Sequence, residues 1–130
     1  MLKKLIVILI AFAVFLSWWH MPVVFLDGVS AEDVTRIEVI GEYEFVIAEP
    51  QDIEYVVSNI QNITMKKEKV SITYAGAAYN LKFFDKNGKK VDEFIINYYN
   101  TIRKDPFFYH SKANDLCVDY LSELGRPHSY

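Results

Sequence analysis

Residues Leu5 to Leu26 form an unbroken run of 22 uncharged residues, and no other feature limits the chain so severely. As a helix at 1.5 Å per residue the run spans about 33 Å, enough to cross a hydrocarbon layer of about 30 Å. A helix of a water-soluble domain keeps a polar face, and this run has none. Lys3, Lys4 and the amino terminus precede it, whereas Asp27, Glu32 and Asp33 follow. By the positive-inside rule the amino terminus stays in the cytoplasm and everything after Leu26 lies outside. Trp18 and Trp19 suit the membrane interface, which would confine the inserted part to Leu5–Leu16 and lay Met21–Leu26 along the outer surface. Pro22 kinks or ends the helix near that level. The competing reading is a secretory signal cleaved near Ala31, within Val29-Ser30-Ala31. Its apolar run exceeds the roughly 7–15 residues of such signals, so an uncleaved anchor is preferred.

The expected organisation is therefore an anchor over residues 1–26, a short linker over 27–32, one extracytoplasmic domain over 33–125 and a tail over 126–130. The cell membrane is the expected partner of residues 5–26, crossed in a single pass. Beyond Leu26, 12 Lys and Arg face 17 Asp and Glu, a net charge of −5. Such a domain lacks the basic surface of a nucleic-acid binder, and as a whole it is weakly repelled by an anionic membrane. Cys117 is the only cysteine, which excludes an intramolecular disulfide framework and a Cys-rich zinc site. All nine Tyr and six of the nine Phe lie in these 104 residues, enough aromatic area to fill a core without crosslinks.

Local periodicity predicts an α+β fold. Val34–Ile40 alternates, Gly41-Glu42 turns the chain, and Tyr43, Phe45 and Ile47 resume the alternation, as in a β-hairpin. After Pro50, residues Ile53, Val56, Val57, Ile60 and Ile63 form one apolar helical stripe, with Lys66–Lys69 as a polar exit. Strands are expected at Val70–Tyr74, Tyr79–Phe83 and around Phe94–Ile96. Ala75-Gly76-Ala77 and Asp85-Lys86-Asn87-Gly88 are read as the turns between them. Asn97–Asn100 turns again, and Thr101–Tyr109 reads as a less regular strand broken at Pro106. Leu116, Cys117, Tyr120, Leu121 and Leu124 mark a last helix, with Asn114 as N-cap and Gly125 as stop. The order is ββαβββ(β)α: an antiparallel sheet of about five strands with two helices on one face, preceded by a transmembrane helix.

Chemistry-bearing patterns are few. The five glycines form no phosphate-binding loop. Cys117 with His110 would make a dyad, yet Cys117 lies on the apolar stripe, where free cysteine packs as a small hydrophobe. Asp115 and Asp119 with His110 could hold a metal weakly, but solvated carboxylates explain the spacing as well. No metal site and no cofactor are expected. The segment Tyr98–Tyr109 stands apart, with five aromatics interleaved with Asn100, Arg103 and Lys104. Adjacent aromatics on a strand point to opposite faces, so they cannot all enter one core. Tyr98, Tyr99, Arg103, Phe107 and Phe108 are the candidate binding residues, being of the types that anchor interfaces.

The helix beginning at Asp52-Ile53, the stretch Tyr79–Lys89, Phe94–Asn97 and Asp105–Tyr109 together resemble small exported or membrane-anchored bacterial domains of unknown function. The resemblance covers most of residues 32–125 and rests on strand aromatics and a turn. It implies a bacterial extracytoplasmic module and carries over no active site. The expected function is a non-enzymatic interaction domain for a protein, peptide or envelope component. A small-ligand sensor or carrier is the alternative, and an enzyme using His110, Asp115 or Cys117 comes third.

Overall fold

Hydrophobic residues at every second position need a sheet with one covered face, and the computed structural model supplies it. The structure describes residues 1–72, 78–113 and 115–127. The elements are α1 (Leu2–Trp19), β1 (Val34–Ile40), β2 (Glu44–Ile47), α2 (Pro50–Gln61), β3 (Lys66–Val70), β4 (Tyr79–Asp85), β5 (Lys90–Tyr98), β6 (Thr101–Lys104), β7 (Phe107–His110) and α3 (Val118–Gly125). The seven strands form one antiparallel sheet in the order β2-β1-β4-β5-β6-β7-β3. Ile37, Val39, Leu81, Phe83, Phe94, Ile96 and Ile102 project from one face into a cluster completed by Ile53, Val56, Val57 and Ile60 of α2 and Leu121 of α3.

The α+β class and the antiparallel sheet agree with the expectation; the element count does not. Among the described residues seven strands stand where about five were expected, and a short 3-10 turn, Ala31–Asp33, joins the three α-helices α1, α2 and α3. Two differences account for the strands. Pro106 divides the expected last strand into a hairpin, with Lys104 paired to Phe107. The third strand is Lys66–Val70, so Lys66–Lys69 is edge strand rather than polar exit. Its partner is β7, with Lys66 opposite His110 and Val70 opposite Phe107. Lysines at an edge discourage pairing with another chain, which is why so polar a run is tolerated there. The expected strand residues Thr73 and Tyr74 and the turn Ala75–Ala77 lie outside the described residues, as does the expected cap Asn114. Leu116 and Cys117 are buried, but they precede α3 rather than open it.

Two turns follow the sequence closely. In Asp85–Gly88 the Asp85 carboxylate accepts from the backbone N–H of Asn87 (2.9 Å) and Lys89 (3.0 Å). Gly88 there adopts φ +77°, a left-handed conformation that glycine takes without steric cost. Gly41 is needed for space: a Cβ at that position would lie 2.3 Å from the Ala78 carbonyl oxygen.

Residues 20–33 are built into the domain. α1 ends at Trp19, three residues before Pro22. Val23 then exchanges two backbone hydrogen bonds with Met65, at 2.7 and 2.8 Å. Phe25 and Leu26, grouped with the anchor on hydropathy, lie in the core, where the Phe25 ring meets Phe94 and Tyr109. The Gln61 amide of α2 donates to the carbonyls of Leu26 and Val29, fixing a loop in which Leu26 itself has positive φ. The stretch read as a linker over 27–32 is thus tied down at its start and runs into a short 3-10 turn, Ala31–Asp33.

Candidate functional site

The antiparallel order gives the sheet two distinct ends. One holds the β5–β6 turn at Tyr99-Asn100; the other holds the β6–β7 turn, the β4–β5 turn and the end of β3. The five candidate residues are distributed between these ends and the open face, so the structure does not bring them into one patch.

Tyr98 and Tyr99 form a tip at the first end. Tyr98 closes β5 and is 71% exposed. Tyr99 donates its phenolic hydrogen to Asp119 Oδ1 of α3 at 2.8 Å, and that carboxylate acceptor raises the Tyr99 pKa. The backbone is pinned on both sides: Leu116 N–H donates to the Tyr99 carbonyl (2.8 Å) and Ser111 N–H to that of Asn100 (2.9 Å). α3 is placed in turn by Tyr120, which stacks on Tyr55 of α2 with centroids 3.9 Å apart and donates to Asp52.

Arg103 and Phe108 sit opposite one another on the sheet face away from the helices. The Arg103 guanidinium carbon is 5.7 Å from the centroid of the buried Phe108 ring, and Lys69 Nζ is 5.4 Å from it. Arg103 Nε also reaches Asp105 at 3.0 Å, and Asp105 accepts from the Ser71 hydroxyl at 2.6 Å. The Ser71 hydrogen bond, then the one from Arg103, holds the Asp105 carboxyl below its ordinary range.

Phe107 faces the other way and belongs to a joint with α1. Its ring centroid lies 5.6 Å from both Trp18 and Trp19. Lys67, only 8% exposed, places Nζ 4.3 Å from the Trp18 ring and 5.9 Å from the rings of Phe107 and Tyr109, and donates to the Trp18 carbonyl at 3.3 Å. An ammonium suits both aromatic faces and the negative end of the helix. Burial raises the Tyr109 pKa beside it. Lys67 was missed by sequence reasoning because nothing local marks it: the joint exists only once β3 pairs with β7.

Cys117 is buried, and burial pushes its thiol pKa up to about 12, far from nucleophilic character at neutral pH. No group of three His, Cys, Asp or Glu side chains converges among the described residues. A cleft of 550 Å³ separates residues 29–35 from α2, and one of 370 Å³ lies where Asn62–Thr64 meets His110–Ala113. Neither is lined by the candidate aromatics. Lys66, Lys112 and Asp115 also border the smaller cleft, and His110 Nδ1 there is buried without a hydrogen-bond partner among the described residues.

Compared with known proteins, the chain matches no family model, no curated protein and no solved structure. The resemblance to small exported domains therefore stands on its residues alone.

Proposed function

We propose that the chain is a single-pass, membrane-anchored, non-enzymatic interaction module, whose folded part lies outside the cytoplasm and captures a protein or peptide through the Tyr98–Tyr99 tip. The observation that carries this reading is the tip's position and rigidity. It projects at the end of the sheet opposite the α1 joint, with exposed aromatic surface on a backbone pinned from two sides. A pre-ordered aromatic loses little entropy on binding, which favours it as an anchor. α1 is an 18-residue helix, uncharged after Lys3 and Lys4 and with none of its residues buried, long and apolar enough to span a membrane. Retention of the anchor is supported by the core: cleavage near Ala31 would remove Val23, Phe25 and Leu26 from it.

Crosslinking from native membranes tests the reading, with a photo-crosslinker at Tyr98 and a control at Lys89 on the opposite end. Capture of one protein from Tyr98 alone is expected, lowered roughly tenfold or more by Tyr99→Ala at unchanged circular dichroism. Equal capture from both positions, or none, would remove the tip as a protein-binding surface.

A second reading, a small-ligand sensor, is favoured by the His110 cleft. Saturable thermal stabilisation by inorganic phosphate or a small carboxylate, lost in His110→Ala, is its signature.

A further inference from the structure

The end of the domain from which α1 emerges differs in composition from the rest. β3 finishes there with Val70 opposite Phe107, and Ser71 N–H donates to the Pro106 carbonyl at 2.8 Å. Val70, paired with Phe107 of the Trp18–Trp19–Phe107 ring cluster, is 45% exposed, and Ile72, two residues on, is 64% exposed. The β4–β5 turn reaches the same end, tied to β6 by the Lys104–Asp92 ion pair.

The charge there is less negative than that of the domain as a whole. Segments 67–72, 85–92 and 103–107 carry seven Lys and Arg against four Asp and Glu, and with Glu32 and Asp33, which enter β1 at the same end, and Glu93, which pairs with Lys90, this end is close to neutral in a domain of net −5. Three of those four carboxylates are engaged internally: Asp85 by its turn amides, Asp92 by Lys104, and Asp105 by Ser71 and Arg103. Lys86 and Lys89 form no ion pair among the described residues. The opposite end bears Glu42, Glu44 and Asp119 together with Lys66 and Lys112, and Glu123 there pairs with Arg126. Net charge alone suggested repulsion from an anionic surface, but what a membrane meets is the charge of the nearest end.

We infer that this end is a lipid-docking surface, seating Val70 and Ile72 in the headgroup layer and setting Lys86 and Lys89 against anionic phospholipid of the leaflet through which α1 emerges. The inference rests on the anchored reading above. Continuity with α1 selects lipid as the occupant: Trp18 and Trp19, residues at home in the interface, lie at this end, so the surface has a bilayer beside it. Two exposed apolar side chains at the sheet edge, with Lys86 and Lys89 on a turn at the same end, match that boundary in both hydrophobicity and charge.

The experiment uses the full chain reconstituted in phosphatidylcholine vesicles with or without phosphatidylglycerol. Ile72→Cys or Tyr98→Cys carries an environment-sensitive fluorophore; both sites are exposed, while native Cys117 is buried and spared labelling. Nitroxide lipids with the spin label at shallow depth should quench the probe at 72 and leave that at 98 bright. Phosphatidylglycerol should strengthen quenching at 72, and the Lys86→Gln/Lys89→Gln pair should lower the docked-to-lifted ratio in those vesicles by roughly tenfold. Resistance to alkaline extraction reports insertion of α1 separately. An inserted chain whose two probes are quenched alike, or whose probe at 72 is shielded from aqueous iodide yet unreached by nitroxide lipid, overturns the docking surface while the anchor stands. A chain extracted from the vesicles overturns both.

Discussion

Cys117 and Tyr120 are both held protonated by the fold, the first by burial and the second mainly by its hydrogen bond to Asp52. Each has a pKa near 12 in the native state, against 9.0 and 10.0 as the ordinary values. A raised native pKa means that the unfolded chain releases its proton first. The stabilisation is therefore complete below pH 9 and is lost as pH rises from 9 to 12. The urea midpoint should be level between pH 7 and 9 and fall above it, with Cys117→Ala flattening the first part of the fall. Iodoacetamide should leave native Cys117 unmodified at pH 8 and alkylate it in urea. Gly41 makes a steric prediction: Gly41→Ala drives a methyl onto the Ala78 carbonyl and should cost about 1–3 kcal/mol, read as a lower urea midpoint. Single residues were legible where their demand is local. The Asn87-Gly88 turn announces itself, and so does the burial of Cys117 on an apolar stripe. Lys67 could not be read that way, because its aromatic partners lie 49, 40 and 42 residues away in the chain.

Among the elements, β1, β2, α2, β4 and β5 follow directly from periods of two and 3.6. β3 does not, since Lys-Lys-Glu-Lys-Val carries no hydrophobic alternation and becomes a strand only through its pairing with β7. Hydropathy likewise placed Phe25 and Leu26 in the membrane, because an apolar run is the same signal whether lipid or protein covers it. Both side chains are buried in the domain core instead, the Phe25 ring against Phe94 and Tyr109. Phe25→Ala should thus destabilise the domain by about 3–5 kcal/mol in urea titration, a cost that a residue lying in lipid would not impose. The candidate site was legible in its parts. Alternation correctly separates Phe107 from Phe108, but the hairpin at Pro106 is what sends one to α1 and the other to Arg103.

At the scale of the whole molecule, the gathering of Lys86, Lys89, Val70 and Ile72 at one end is invisible to a net charge, because it depends on which turns the strand order brings together. The joint between α1 and the domain has a mechanical consequence. Trp18 and Trp19 lie on Phe107, Lys67 donates to the Trp18 carbonyl, and Val23 is already stitched to Met65. With the domain docked, such a connection leaves little slack, and the anchor and the sheet tilt together. The nine residues of β5 alone extend about 30 Å, and a 10° tilt of the helix would sweep the tyrosine tip sideways by about 5 Å. In the anchored arrangement, a change in bilayer thickness that retilts α1 is felt at the far end of the domain as a displacement larger than a hydrogen bond is long.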